Sequence, residues 1–302
     1  MNGGKRVIIL DGNIMMKRVL VLGSKGMLGQ ELVRVFAKVG HTVTGLDSGD
    51  IDVTDAPATR ERIVALRPEV IINAVAYNAV DSCEGDEAEF GKAWRLNAEV
   101  PGELAEIAKE IGATFVHFST DYVFDGEQKG DGYDEYAEPC PISRYGESKL
   151  GGERSVAAVG GTFHIIRLSK LFGLPASSAS AKQSFFVKMG GVARDTGSVS
   201  AVDDERGCFT YAPDLAAATA ELLLDEVPSG VYHLVNEGAA TWFGALVEYF
   251  RIAGIDAAVS PVPGDAFPRP ARRPKDSTLR NTKRPHLRGL SEALLDYSVK
   301  SE

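Results

Sequence analysis

The sequence predicts an α/β protein: a doubly wound parallel sheet carrying a smaller, interwoven C-terminal lobe. Three observations predict it. From Arg18 onward, short apolar runs alternate with amphipathic stretches of helical period. The runs are apolar throughout, as in parallel strands covered by helices on both faces. The first run leads directly into glycines that open a helix, at residues 23–29.

The elements follow in order. RVLVLG (18–23) is a strand, and MLGQELVRVFAKVG (27–40) is a helix stopped by Gly40. HTVTGLD (41–47) is a strand. DAPATRERIVALRP (55–68) is a helix with Pro57 in its first turn and Pro68 beyond its end. EVIINAVA (69–76) is a strand, and 87–111 is a long helix that Val100-Pro101-Gly102 can break. TFVHFST (114–120) is a strand, 140–158 a helix, FHIIRLS (163–169) a strand, and GVYHLVN (230–236) one further strand. After Gly173 the alternation falters. LPASSASAKQS (174–184) reads as a loop, APDLAAATAELLLDEV (212–227) as a helix, and TWFGALVEYFRIAG (241–254) as a helix capped by Thr241. PVPGDAFPRPARRPK (261–275) is proline-rich and basic. The expected division is 16–173 with 211–236 as a dinucleotide-binding domain, and 174–210 with 237–302 as a substrate lobe. KRVIILDGN (5–13) nearly duplicates KRVLVLGSK (17–25), but only the second copy continues into the helix. Residues 1–15 are therefore expected to be a leader or extension.

Composition narrows the function. The 302 residues carry a net charge of −9, 44% hydrophobic residues and 25% charged ones. That is an ordinary soluble composition, ill-suited to coating nucleic acid or an anionic membrane. No apolar run approaches the ~20 residues of a membrane span. Three dispersed cysteines give no disulfide framework, which suits a reducing cytoplasm, and five histidines show no metal-ligand spacing. No metal is expected.

Four constellations carry chemistry. Gly23, Gly26 and Gly29 join a strand to a helix, where backbone amides and the helix dipole receive a pyrophosphate, as in a Rossmann fold. The bland alternative is a glycine-rich turn without a ligand. Asp47 closes the second strand and can accept both ribose hydroxyls, which favours NADH over NADPH; Asp52 and Val53 follow and can flank an adenine. Ser119 and Thr120 end a strand at the edge where such folds bind ligands, though hydroxyl turns are common there. From that position the Thr120 hydroxyl could hold a substrate carbonyl.

The fourth is SRYGESKLGGE (143–153), with Tyr145 and Lys149 one helical turn apart. Chance supplies this spacing often, and an aromatic ring covering a lysine stem would explain it. The active alternative is a phenol loosened by an ammonium. At ~4 Å and an effective dielectric of about 20, the attraction reaches roughly 4 kcal/mol. That is about 3 pH units, enough to bring a phenol toward neutrality. Because the helix starts at the same sheet edge as Thr120 and the glycine loop, the active alternative is preferred. Asn97 on the preceding helix can steady that edge, or face solvent.

These residues lie within INAVAYNAVDSCE, LNAEVPGELA, STDYVFDG, PISRYGESKLGGE, GVYHLV with TWF, and RPARRPKDSTLRNTK. Together they resemble the extended short-chain dehydrogenase/reductases and, within them, the dTDP-4-dehydrorhamnose reductases, from Arg18 to about Lys283. The resemblance implies NADPH- or NADH-dependent reduction of the 4-keto group of dTDP-6-deoxy-L-lyxo-4-hexulose to dTDP-L-rhamnose. It implies Thr120, Tyr145 and Lys149 as the catalytic set. Gly23, Met27, Leu28, Asp52, Val53, Ala74, Ala76 and Tyr77 would line the cofactor, and Tyr122 would face the sugar. The arginines between 269 and 288, Arg272 and Arg273 above all, suit a nucleotide diphosphate.

The chain departs from the family pattern in places. Where the family has R-T-S-W it reads RLSK, putting Lys170 near the substrate; where the family has D-Q-x-G-x-P-T it reads DERGCFT, with Glu205, Arg206 and Phe209. Some relatives bind magnesium through glutamates at a dimer interface, but Pro213 stands at the corresponding position. A monomer and a homodimer both remain open. The rivals are a nucleotide-sugar 4,6-dehydratase or epimerase, and a regulatory subunit resembling methionine adenosyltransferase beta. Dehydratases carry Asp-Glu after the threonine, whereas Asp121-Tyr122 stands here. The regulatory reading would be supported by recovery of a stoichiometric synthetase partner.

Overall fold

The computed structural model describes residues 16–301 apart from 129 and 178–182. The expected leader at 1–15 and half of the expected 174–184 loop lie outside the described residues.

Five strands, β1 (Arg18–Leu22), β2 (Thr42–Leu46), β3 (Val70–Asn73), β4 (Thr114–Thr120) and β5 (Phe163–Leu168), join the strand Gly230–His233 in one sheet. Its order is β2-β1-β3-β4-β5 followed by Gly230–His233, and every pair is parallel. All strands therefore end at one edge. The order reverses between β1 and β3, the point where open α/β sheets leave a ligand crevice.

The unbroken apolar runs are explained by burial on both faces. Val19, Val21, Ile72, Val116 and Ile166 pack beneath α1 (Met27–Lys38) and the helix Ala212–Leu224. Leu20, Leu22, Ile71, Phe115 and Ile165 face the other way, against α2 (Ala56–Leu66), α5 (Val100–Glu110) and α6 (Arg144–Val159). Between β3 and α5 lie α3 (Val80–Gly85) and α4 (Glu87–Trp94).

The structure refines two boundaries. The long 87–111 helix is interrupted by a π turn, Arg95–Glu99, that ends directly before the expected Val100-Pro101-Gly102 break. Pro101 has no N–H to give, so the register is relaxed in the turn preceding it. The helix expected from 140 begins at Arg144, because Pro139 and Pro141 keep the preceding chain extended and Ser143 accepts the Gly146 amide at 3.2 Å.

A separate aromatic cluster of Phe172, Phe186, Phe209, Tyr211, Tyr249 and Tyr297 packs the C-terminal helices. Thr241 caps Trp242–Ala253 as expected, accepting the Gly244 amide at 3.0 Å. A helix at Phe185–Thr196 and short strands at Ser198–Val202, Arg206–Cys208, Ala239–Thr241 and Ala258–Val262 were not expected from the sequence.

Candidate active site

The glycine loop turns between β1 and α1. Gly23 sits at φ +75 and donates its amide to the Leu46 carbonyl at 2.9 Å. A Cβ on Gly29 would collide with the Gly23 carbonyl, so only glycine lets the helix start this close to the strand. Gly26 caps α1 with no side-chain hydrogen bond, leaving the first-turn amides without a side-chain acceptor. This bare helix N-terminus fits a dinucleotide pyrophosphate.

Asp47 stands beside the loop and accepts the Lys25 amide at 3.0 Å and the Ser48 amide at 2.9 Å. Burial works against its charge, but those amides outweigh it and hold the carboxyl below its usual range. Ala74 packs against the loop from the end of β3, and its carbonyl would meet any Cβ on Gly23 at 3.1 Å. Ala76 and Tyr77 continue that wall, half-buried.

The structure places the other expected cofactor residues in different settings. Leu28 and Val53 point their side chains into the core, so only their backbone is available to a ligand. Asp52 spends an oxygen on the Thr54 amide and hydroxyl, at 2.9 and 2.7 Å, and closes a turn there. Asn97 is neither solvated nor free for a cofactor. Fully buried, it accepts the Tyr77 amide at 2.8 Å and donates to the Tyr77 carbonyl and the Ser148 hydroxyl, both at 3.0 Å. It clamps the chain after β3 to α6. Met27 lies half-buried against Gly173.

Tyr145 and Lys149 occupy the first half of α6. A Cβ on Gly146 would strike the Tyr122 carbonyl, so this glycine lets α6 press against the turn after β4. Tyr145 is 8% exposed; its hydroxyl donates to Asn78 at 3.4 Å and its ring meets Tyr122 edge-on at 5.7 Å. The loosened phenol is not what the structure holds. Burial first, then the Asp121 charge, push the Tyr145 phenol above its usual value, against a small opposing pull from the Thr120 hydroxyl. Lys149, also buried, turns to the Phe118 carbonyl at 2.6 Å, and burial lowers it to about 8 despite Glu153 nearby. The ammonium thus spends a hydrogen bond on β4, and the phenol stays protonated.

Thr120 also differs from expectation. Its hydroxyl donates to Asp121 at 3.1 Å and accepts the Tyr122 amide at 3.2 Å, so its proton is already committed. Asp121 gave no sequence signal beyond its place after Thr120.

Of the expected substrate residues, Tyr122 adjoins Tyr145, burial pushing its phenol upward. Arg273 forms a two-pronged pair with Asp81 at 2.5 and 2.7 Å, while Arg272 is exposed. Glu205 pairs with Arg269. Lys170, at φ +40, extends over the rings of Trp242 and Phe209 at 5.5 and 5.8 Å.

A parallel sheet with a bare helix N-terminus at its crevice, and a Tyr/Lys pair at the same edge, defines a dinucleotide-binding protein of the short-chain dehydrogenase/reductase class. The family model of the RmlD substrate binding domain matches residues 16–300, and the chain belongs to that family. It is 38% identical over 268 residues to a dTDP-4-dehydrorhamnose reductase of Streptomyces griseus, spanning 87% of this chain and 85% of that one. It is 37% identical over 266 residues to a probable dTDP-4,6-dihydroxy-2-methyloxan-3-one 4-ketoreductase of Streptomyces antibioticus, spanning 87% and 86%. The fold superposes with a TM-score of 0.88 on the dTDP-4-dehydrorhamnose reductase of Bacillus anthracis strain Ames in complex with NADP. That match covers 95% of this chain and 100% of the other at 29% identity.

Proposed function

We propose that this chain is an NAD(P)H-dependent oxidoreductase that reduces the 4-keto group of dTDP-4-dehydrorhamnose to give dTDP-L-rhamnose. The observation that carries it is the gathering of a protonated phenol, a buried ammonium and a bare helix N-terminus at one sheet edge. The backbone of 23–29 would hold the pyrophosphate, Asp47 the adenine-side ribose, and Ala74, Ala76 and Tyr77 the wall of the crevice. When bound, the dinucleotide supplies the hydride.

The protein's own part is the proton. A phenol held above its usual value remains protonated through neutral pH, the form a keto oxygen needs as its donor. Tyr145 gives that proton as charge builds on the oxygen, and Lys149 supplies the positive charge that steadies the phenolate left behind. Thr120 orients Tyr145. The second lobe, 174–210 with 237–302, closes over the sugar, with Tyr122 and Lys170 beside it and the Arg272–Arg273 segment toward the diphosphate. Arg273 would exchange Asp81 for phosphate oxygens on binding. The reaction belongs in the cytoplasm, on a free nucleotide sugar, with the protein a monomer or homodimer. A related dTDP-4-keto sugar is the second reading, favoured by Lys170 standing where the family has tryptophan.

The test is NADPH and NADH oxidation at 340 nm with enzymatically prepared dTDP-4-dehydrorhamnose, beside Tyr145→Phe. Turnover that falls at least a thousandfold in the variant is expected. A folded, cofactor-binding chain that turns over none of this sugar would discard the assignment and reopen the regulatory one.

A further inference from the structure

Behind the wall that carries Lys170, a polar pocket of about 360 Å³ opens between the strand Arg206–Cys208, the turn 236–239 and the segment 278–281. Backbone pairing frames it on every side. Ala239–Thr241 runs antiparallel to Arg206–Cys208, and the Ser277 amide donates to the Arg206 carbonyl at 3.0 Å. The Tyr133 amide donates to the Thr278 carbonyl, and the Arg280 amide to the Tyr133 carbonyl, both at 2.8 Å.

This pocket is distinct from the crevice. A Cβ on Gly207 would meet the Lys170 ammonium and approach the Ser277 and Ser169 hydroxyls, so position 207 faces the crevice. Those two serines donate to Asp121 at 2.5 and 2.7 Å on that same side. Arg206 and Cys208 flank Gly207 in the strand and therefore point to the opposite face.

The side chains on that face are largely uncommitted. Asp131, Glu237 and Arg280 line the pocket and are exposed, and among the described residues no hydrogen bond or ion pair engages their side chains. Arg206 gives Nη1 to Asp276 at 3.0 Å and to Thr278 at 3.4 Å, which leaves Nε and Nη2 for another acceptor. Asn281 is 5% exposed and also lines the pocket. Its Nδ2 donates to the Val235 carbonyl at 3.2 Å, which fixes the other atom as oxygen, and that Oδ1 is buried with no partner among the described residues.

These groups ask for two things at once. The guanidinium groups of Arg206 and Arg280 suit a planar-bonded anion such as a phosphoryl group. Asn281 Oδ1 and the carboxylates of Glu237 and Asp131 can only accept, and call for O–H or N–H donors. A bare anion would meet the first demand and be repelled by the carboxylates. A phosphate monoester rich in hydroxyls meets both, and the volume is that of a small-metabolite site.

We propose that this pocket is a second binding site of the protein, outside the catalytic crevice, that takes a phosphorylated sugar: the phosphoryl group on Arg280 and Arg206, the hydroxyls on Asn281, Glu237 and Asp131. The inference goes beyond the reductase reading and does not depend on it.

The experiment is isothermal titration calorimetry of the full chain with glucose 6-phosphate, glucose and inorganic phosphate in turn, NADPH and dTDP being present to fill the crevice. One equivalent of glucose 6-phosphate should bind with a Kd below about 1 mM, and glucose and inorganic phosphate each at least about tenfold more weakly. Arg280→Ala removes an exposed side chain and should weaken glucose 6-phosphate about tenfold or more. Asn281→Ala should weaken it about tenfold. Lys170→Met, on the other side of Gly207, should leave its Kd within about twofold. Thermal unfolding checks that each variant folds; if Asn281→Ala does not, Arg206→Ala takes its place with the same expected loss.

A parent that binds no glucose 6-phosphate, as a pocket holding only water would, overturns the proposal. Inorganic phosphate binding as tightly as the sugar phosphate would mark an adventitious ion only, and overturns it too. An unaltered Kd in Arg280→Ala does the same, as does a loss in Lys170→Met, which would move the binding into the crevice. Turnover of the keto sugar is not read here, so failure of either reading leaves the other standing.

Discussion

Replacing Lys149 with methionine should make the protein more stable while it loses its activity. The ammonium is 2% exposed, and burial lowers its pKa from 10.5 to about 8. At about 1.4 kcal/mol per pH unit, that corresponds to about 3 kcal/mol held against the fold at neutral pH. The sign follows from proton counting. Between pH 8 and 10.5 the unfolded chain holds a proton on this lysine that the folded chain has released, so this group's contribution to stability improves as pH rises through that window. Below pH 8 the full penalty remains. Methionine removes the charge, keeps most of the volume, and leaves the Phe118 carbonyl without its 2.6 Å partner, which costs about 1 kcal/mol. The expected net gain is about 2 kcal/mol at pH 7, vanishing by pH 10. Urea unfolding of parent and Lys149→Met without cofactor, at pH 7, 8, 9 and 10, measures it. The other titrating groups are common to both chains and cancel in the difference. A parent more stable than the variant at pH 7, or a difference that does not change with pH, would refute the reasoning.

Three further substitutions probe the scaffold. Arg167 and Glu153 pair at 2.9 and 2.6 Å with side chains 4% and 5% exposed, so Glu153→Gln strands a buried guanidinium and should cost about 3 kcal/mol or more in urea unfolding; a loss under about 1 kcal/mol would show the pair to be wet. Gly146→Ala forces its methyl against the Tyr122 carbonyl, and should lower kcat about tenfold or more while NADPH affinity stays within twofold. Asp47→Ala should weaken NADH by at least about tenfold and NADPH by less, since the carboxylate favours ribose hydroxyls and repels a 2′-phosphate; equal losses in fluorescence titrations would mean it serves only to brace Lys25.

How far the sequence could be read depended on the range of the interactions involved. The strands of the main sheet were legible because each is a local apolar run buried on both faces, and the glycine loop because its steric demand lies within seven residues. The strand Arg206–Cys208 was not. It is three residues long, and its partner, Ala239–Thr241, lies far along the chain. Asn97 could not be separated from a solvated asparagine, because its partners Tyr77 and Ser148 are 20 and 51 residues away. The Tyr145–Lys149 spacing was read correctly as one helix face. The direction of the phenol's shift was not, because the i, i+4 argument omits both the burial of the pair and the Phe118 carbonyl that takes the ammonium. Asp121 was hidden for the same reason: two of its three donors arrive from other segments.

The two departures from the family pattern form one contact rather than two independent changes. Lys170 removes an aromatic ring where the family has tryptophan, and Phe209 adds one where the family has proline. The ammonium of Lys170 lies over the Phe209 ring at 5.8 Å and over Trp242 at 5.5 Å, so the added ring meets the substituted side chain. Apolar area lost at one position is regained at the other, the kind of compensated exchange that a packed wall tolerates. The charge is the new element. Burial lowers the Lys170 pKa against the upward pull of Asp121, Cys208, Glu205 and Asp276, and its backbone carbonyl accepts the Thr210 amide at 3.3 Å. An ammonium over an aromatic face turns part of its positive surface to the ring and still has three N–H donors to share between ring faces and oxygens. On the reductase reading proposed above, the exchange leaves the wall's bulk in place while adding a charged donor beside the sugar. Sugar selectivity, rather than the reduction itself, is the property that this pair of changes would alter.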